Sequence, residues 1–139
     1  MQHNTSTTMK FICIFALLIA TLSSKAQSPE SARDTTIYKK VDTAAAFPNG
    51  DAAWQAYLRK HFTYSKEAMK NEIQGTVIVQ YVIEMDGSVT NVTAISGPTV
   101  LRQDAENSIK QSPKWTPAVK AGIKVRSYKM QPIVFRLNS

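Results

Sequence analysis

Two patterns of apolar residues in the middle of the chain predict short helices. In the first, apolar side chains recur at every fourth position and form one stripe on a helix, at Trp54, Leu58 and Phe62. Asp51 precedes this stripe and is a suitable N-cap, so the helix is expected to begin at Ala52. A second, shorter helix is expected from Ser65, which is another capping residue, to Asn71.

The next segment alternates between apolar and polar positions, which is the pattern of a half-buried strand. Its apolar face consists of Val77, Val79, Tyr81, Ile83 and Met85. Asp86-Gly87 follows and predicts a hairpin turn. Residues 88–95 are rich in valine and threonine, so they are expected to form the returning strand.

A third helix and a last strand complete the pattern. The helix is expected from Val100 to Gln111, because apolar residues recur at every fourth position and Pro113 ends the run. The last strand is expected over residues 123–137, where the apolar residues change from even to odd positions at Pro132. Because a proline lacks the N–H that a central strand needs, this segment is expected to be an edge strand, a bulge, or both.

The N-terminal 26 residues have the features of an export signal. Lys10 precedes an apolar run of about 12 residues, and small residues precede a cleavage point after Ala26. The run is shorter than the ~20 residues that span a bilayer as a helix, which favours a cleaved signal and a periplasmic protein. An uncleaved inner-membrane anchor is the alternative. Residues 27–46 are then expected to be a polar linker, and residues 47–139 a single domain.

Composition narrows the classes of function. The formal charge is +7, and +5 without the signal. This charge is compatible with an acidic partner or an anionic membrane surface, and alternatively with a soluble surface that carries spare lysines; export removes nucleic acid from the candidates. The single cysteine, Cys13, lies in the signal, so no disulfide is expected. No His, Cys and carboxylate residues have metal-ligand spacing, and no nucleophile or phosphate-binding motif occurs. We therefore expect that the protein has no enzymatic activity and binds no metal, cofactor or small-molecule substrate.

Several short motifs occur in an order that is typical of one family. They are Gly75-Thr76-Val77, Asp86-Gly87-Ser88-Val89, Lys114-Trp115-x-Pro117-Ala118 with Gly122, and Pro132-Ile133-x-Phe135-x-Leu137. In this order and spacing, over residues 47–137, they resemble the C-terminal domain of the energy transducer TonB. The resemblance implies an α+β fold in which two helices pack on one face of a three-stranded antiparallel sheet.

The resemblance also implies a function in outer-membrane transport. Domains of this family are understood to bind a short segment of an outer-membrane TonB-dependent transporter by strand addition. The last strand is the expected docking edge, with the partner-binding residues Val125, Arg126, Tyr128, Lys129, Gln131, Ile133 and Phe135. A complete transducer also has a membrane anchor and a long periplasmic linker. Here a short signal and about 20 polar residues stand in their place.

Alternatives are open for the function and for single residues. The chain is alternatively a secreted adaptor or structural domain that binds the cell wall or another periplasmic protein, without energy transduction. A homodimer through the same sheet edge is also compatible with the pattern. Tyr128 and Met130 alternatively belong to the core or its rim, and Arg126 and Lys129 alternatively protect the edge against aggregation. Trp115 is expected to fill the junction of helix and sheet.

Overall fold

The computed structural model describes residues 35–138, and these form three helices and five strands. The helices are α1 (Asp51–His61), α2 (Lys66–Lys70) and α3 (Thr99–Lys110). The strands are β1 (Ile37–Tyr38), β2 (Gly75–Ile83), β3 (Val89–Ser96), β4 (Ala118–Lys120) and β5 (Ile123–Phe135). No helix in this part of the chain is long and apolar enough to cross a bilayer. The predicted signal peptide lies outside the described residues.

The sheet has the order β1-β5-β2-β3. β2 pairs with β5 along its full length and with β3 on its other side, and both pairings are antiparallel. β1 pairs in parallel with two residues near the start of β5, and β4 forms an antiparallel hairpin with the first three. The predicted α+β fold is confirmed. Its three antiparallel strands form the centre of a sheet that two short strands enlarge.

The helices coincide with the predicted ones to within two residues. Ser65 caps α2 as expected, because its hydroxyl accepts the N–H of Ala68. The carboxylate of Asp104 in α3 accepts the N–H of Ser65 at 2.8 Å, which connects the two helices. The predicted cap of α1 is wrong. Gly50 occupies that position without a side-chain bond, and Asp51 is the first helical residue, where its charge favours the helix dipole.

An aromatic cluster fills the space between α1 and the sheet. Its ring centroids lie 4.9–6.3 Å apart, and its members are Phe47, Trp54, Tyr57, Tyr81 and Trp115. Trp115 is buried in this cluster, and its backbone N–H donates to the carbonyl oxygen of Gly87 in the β2–β3 turn at 2.9 Å. Trp115 therefore fills the junction of helix and sheet, as predicted.

Part of the predicted polar linker belongs to the folded unit. β1 lies within it, and isolated bridges form at Thr43 and Ala46. Ala45 is buried, and the carboxylate of Asp42 accepts the N–H of Ala121 at 2.7 Å. The polar composition misled the prediction, because backbone pairing holds this segment although its side chains are mostly exposed. Residues 27–34 lie outside the described part.

The predicted change of phase in the last strand is wrong. The buried residues of β5 are all at odd positions, at Val125, Ser127, Ile133 and Phe135. Met130 is 58% exposed and lies on the opposite face of the sheet. The pairing with β2 runs through Pro132 without a bulge, and the register shifts lie between β2 and β3 instead.

Candidate docking edge of the sheet

The outer edge of β3 is unsuited to accepting another strand. Asn91 has a left-handed backbone conformation, with φ of 50°, in the middle of the strand. The N–H of Ala94 donates to the Glu106 carboxylate of α3 at 2.9 Å, so this donor is already used. Strand addition needs a regular row of unpaired N–H and C=O groups. The protein therefore blocks this edge.

The side of β5 that faces away from β2 is closed only at its start. β1 pairs there with Arg126 and Ser127, and β4 forms its hairpin with the preceding residues 123–125. Within residues 35–138, no strand pairs with residues 129–135 on the side away from β2. This stretch is called the open edge below. The predicted edge beginning at Val125 is thus shorter, because the protein's own strands occupy its first residues.

Pro132 indicates which backbone groups face the open edge. In an antiparallel ladder each residue directs its N–H and C=O to the same side, and successive residues alternate. A proline in a sheet places its nitrogen on the side without a ladder partner, so Pro132 faces outward. By alternation, Tyr128, Met130 and Val134 also direct their N–H outward. The parallel pairing of Tyr38 with Ser127 uses the N–H of Tyr128, so the donors of Met130 and Val134 remain. The side-chain amide of Gln131 donates to the Pro132 carbonyl oxygen at 2.8 Å, in agreement with an oxygen that β2 does not use.

Helix α1 runs beside the open edge. The indole N–H of Trp54 donates to Oε1 of Gln131 at 2.8 Å, and the ring of Phe62, directly after α1, lies 5.0 Å from that of Phe135. These two contacts are eight residues apart along the helical side and four residues apart along β5. Both stretches are ~12–13 Å long, so the helix and the strand run side by side and form two walls. Between them lies a groove of about 390 Å³, called the α1–β5 groove. It is lined by Gln55, Leu58, Arg59, Phe62, Gln131, Pro132, Ile133 and Val134.

The seven predicted partner-binding residues differ in what they present to solvent. Val125 and Phe135 point into the core, with 8% and 0% of their surface exposed, so their side chains are not available to a partner. Gln131 and Ile133 line the α1–β5 groove, although only 5% of the surface of Ile133 is exposed. Tyr128 is half-buried on the opposite face of the sheet. Whether these residues bind a partner stays a prediction.

The two basic residues among them make contacts within the protein. Arg126 donates two hydrogen bonds to the Glu84 carboxylate, at 2.7 and 3.0 Å, and a third to the carbonyl oxygen of Thr35 at 2.7 Å. The hydrogen bonds from Arg126 hold the pKa of Glu84 below its usual value. The ammonium of Lys129 lies 5.4 Å from the ring centroid of Trp115. Arg126 therefore helps to hold β1 against β5.

Sequence reasoning missed the helical wall of the groove. Gln55 and Arg59 are one helical turn apart, line the groove and lie outside the apolar stripe that predicted the helix. Their position next to β5 depends on how α1 packs across the sheet, which the helical period does not report. The one available signal was the spacing of four between two long polar side chains.

Catalytic groups do not converge at the groove. Within residues 35–138, no three His, Cys, Asp or Glu residues are grouped to hold a metal ion. His61 Nδ1 lies 2.9 Å from the carbonyl oxygen of Tyr57, and its ring stacks on the Tyr57 ring at 4.0 Å. The arrangement offers backbone pairing and side-chain packing to an extended chain.

A comparison with known families identifies the family of the chain. Residues 60–137 match the family described as Gram-negative bacterial TonB protein C-terminal. Because this match covers more than half of the chain, the protein belongs to the TonB C-terminal family. The resemblance that the motifs indicated is thereby confirmed.

Solved structures similar to the chain include two NMR solution structures of the Helicobacter pylori TonB C-terminal domain. The first, of residues 179–285, has 24% identity and a TM-score of 0.48, with 61% of this chain and 78% of that chain covered. The second, of residues 194–285, has 26% identity and a TM-score of 0.47, with 63% and 94% covered. No curated protein matches the chain.

Proposed function

We propose that this chain is a periplasmic binding module for outer-membrane transport. It binds an extended segment of an outer-membrane TonB-dependent transporter, which adds as a strand to the open edge. The observation that carries the proposal is the pair of outward N–H groups at Met130 and Val134, on either side of Pro132, beside which no strand lies in residues 35–138. Membership of the TonB C-terminal family supports this kind of partner.

The blocked edge of β3 supports the choice of β5. Glu106 occupies the donor of Ala94, and Asn91 interrupts the regular backbone of β3. Main-chain pairing at the open edge would provide affinity with little demand on sequence, and neighbouring side chains would provide preference. The module is proposed to act by binding alone, without catalysis, cofactor or metal.

Proline substitutions on the open edge test strand addition. Met130→Pro and Val134→Pro each remove one outward N–H and leave the ladder with β2 unaltered. Their matched controls, Met130→Ala and Val134→Ala, remove the side chain and keep the N–H. The measurement is retention of TonB-dependent transporters from detergent-solubilised outer membranes of the producing bacterium, identified by mass spectrometry. A lost hydrogen bond of about 1.4 kcal/mol corresponds to about tenfold weaker binding.

The proposal expects both proline variants to lose binding while both alanine variants retain most of it. Circular dichroism and the melting temperature show whether each variant is folded. Folded proline variants that bind as well as the wild type would rule out strand addition at this edge. Retention of cell-wall material or of another periplasmic protein, with no transporter, would favour the adaptor alternative.

A further inference from the structure

The turn between β4 and β5 forms a hairpin tip that carries an exposed apolar side chain. Ala121 and Gly122 both have left-handed backbone conformations, with φ of 50° and 75°, as a two-residue hairpin turn requires. Lys120 and Ile123 are paired directly across this turn, so their side chains leave the same face of the hairpin. Ile123 is 67% exposed, the largest exposed fraction among the large apolar side chains of residues 35–138. The tip therefore presents an isoleucine beside a lysine.

Two further lysines lie beside this tip. Lys124 follows Ile123 in β5, and its side chain points to the opposite face of the strand. Lys39 directly follows Tyr38 in the chain, and the ammonium of Lys120 lies 4.8 Å from the centroid of the Tyr38 ring. The start of the folded unit and the β4–β5 hairpin thus contribute lysines to one surface.

The segment after β1 brings a fourth lysine and one carboxylate to the same place. Lys40 precedes Asp42 by two residues, and the carboxylate of Asp42 accepts the N–H of Ala121 in the turn at 2.7 Å. Lys39, Lys40 and Lys124 are exposed. The four lysines and this aspartate give the surface a net charge of +3. Residues 39, 40, 120, 123 and 124 are called the basic hairpin patch below.

The protein itself leaves the lysines of the basic hairpin patch without counter-ions. Within residues 35–138 none of the four forms an ion pair, whereas Lys110, Lys114 and Arg126 each pair with a carboxylate. Because like charges repel one another, such a patch favours a partner that presents many negative charges on one surface. The partner should also be able to cover Ile123, which a purely ionic surface would leave in water.

We propose that the basic hairpin patch binds the surface of a bilayer that contains anionic phospholipid. The lysine ammonium groups lie among the lipid phosphates, and Ile123 enters the boundary between the headgroups and the acyl chains. A bilayer fits better than a soluble acidic protein, because the exposed isoleucine lies among positive charges. A layer of phosphates above hydrocarbon satisfies both kinds of side chain at once.

The basic hairpin patch lies apart from the open edge. Lys124 and Met130 are six residues apart in β5, which corresponds to ~20 Å. Thr35, the first described residue, accepts a hydrogen bond from Arg126, two residues after Lys124. The chain therefore continues toward the predicted signal from the end of β5 that carries the patch. Because bilayer binding there leaves the open edge accessible, this inference does not depend on strand addition.

Vesicle sedimentation with the exported protein tests the proposal. One set of vesicles contains phosphatidylcholine alone, and the other contains phosphatidylcholine and phosphatidylglycerol in equal parts. The patch variant is the double substitution Lys40→Gln with Lys124→Gln, and a third variant is Ile123→Ser. All three side chains are exposed, so the melting temperature should change little.

The matched control is the double substitution Lys66→Gln with Lys70→Gln. Both lysines are exposed residues of α2 without an ion pair in the described part, so the control changes the net charge equally. α2 lies near the other end of β5, since the ring of Tyr64, just before α2, lies 5.2 Å from that of Phe135.

The exported protein should bind the vesicles that contain phosphatidylglycerol, should not bind the others, and should be released by salt. The patch variant should bind about thirtyfold less tightly, because each lysine near an anionic surface contributes about fivefold. Ile123→Ser should bind about tenfold less tightly with the same dependence on salt, because it loses apolar burial and keeps the charge. The control should bind like the wild type.

Four results would overturn the proposal. They are no binding to either kind of vesicle, equal binding to both kinds, an equal loss in the patch variant and the control, and undiminished binding of Ile123→Ser. An equal loss would mean that only the net charge matters, and undiminished binding of Ile123→Ser would mean that no side chain enters the bilayer. Retention on purified cell wall but not on vesicles would assign the patch to a different partner. None of these results bears on strand addition, which the proline variants of β5 test separately.

Discussion

At the scale of single residues, the contacts of Arg126 connect three strands. Its guanidinium binds Glu84, which follows β2, and also the carbonyl oxygen of Thr35, which precedes β1. The hydroxyl of Thr90 in β3 donates to the same carboxylate. A residue that sequence reasoning assigned to partner binding therefore closes the start of the edge and sets where the open part begins.

This ion pair should make stability depend on pH. The pKa of Glu84 is lowered from its ordinary value of 4.5, chiefly by the hydrogen bonds from Arg126. The contribution of the pair is therefore fully present above pH 4.5 and is lost as the pH falls through the lower pKa of the folded state. Glu84→Gln should lower the free energy of unfolding by about 1 kcal/mol at pH 7, because the pair is partly exposed, and by less at pH 3.

Urea unfolding at pH 7 and pH 3 measures the effect of Glu84→Gln. Glu72→Gln, the same change at an exposed residue with no ion pair in the described part, is the control and should change little at either pH. A loss of stability in Glu84→Gln that is equal at both values of pH would contradict this account of the pair.

At the scale of elements, the edge of the sheet at β3 is protected, whereas the edge at β5 is partly exposed. On β3 a side chain from α3 occupies a backbone donor, whereas α1 stands beside β5 and leaves the backbone of the open edge uncovered by a strand. Edges of sheets promote unwanted association, so proteins usually protect them. Protection of one edge and exposure of part of the other is the arrangement that a strand-accepting domain needs.

The protection of β3 is testable through Glu106. Glu106→Ala leaves the nearly buried N–H of Ala94 without its acceptor, so the free energy of unfolding should fall by about 1–2 kcal/mol. Glu106→Gln keeps an acceptor oxygen and loses only the charge that pairs with Lys110 at 3.4 Å, so it should cost less than about 0.5 kcal/mol. Equal losses in the two variants, measured by urea unfolding, would show that the carboxylate does not protect this edge.

Elements that depend on near neighbours could be predicted from the sequence, and pairings between distant segments could not. The apolar period located α1 and α3, and Asp86-Gly87 located the β2–β3 turn. Nothing local announces that Ile37 pairs with Arg126, so β1 was taken for linker. Pro132 correctly indicated that one side of β5 has no partner strand at this residue. The predicted bulge was wrong. Exposed apolar side chains on the outer face of β5 gave the impression that its apolar face changes from even to odd positions.

Of the residues that line the groove, only those in β5 could be predicted from the sequence. Gln131 and Ile133 were named because they belong to the last strand, and they line the groove. Arg59 and Phe62 lie about 70 residues earlier in the chain, and they meet β5 only through the packing of α1. Burial also removes Val125 and Phe135 from the side chains that a partner can touch, which a strand pattern of uncertain phase could not show.

At the scale of the whole molecule, the fold begins closer to the predicted signal than the polar composition suggested. Pairing of β1 and the bridges at Thr43 and Ala46 place residues 35–46 in the folded unit. Only eight residues separate a cut after Ala26 from residue 35, and an extended chain of that length spans at most about 28 Å. A retained anchor would hold the module near the inner membrane, whereas cleavage would release it.

We expect the exported protein to be released. Mass spectrometry of the protein isolated from the periplasm should give a chain that begins at Gln27, because the small residues before that point suit a signal peptidase. A membrane-bound protein that retains residues 1–26 would instead indicate the anchored alternative. That result would allow energy coupling within one chain.

Backbone hydrogen exchange measured by NMR tests the open edge most directly. In the free protein, the amide hydrogens of Met130 and Val134 should exchange by orders of magnitude faster than those of Lys129, Gln131 and Ile133, which the ladder with β2 protects. Binding of a transporter segment should slow the first two. Equal protection of all five amides in the free protein would contradict the account, since no donors would then be left for an added strand.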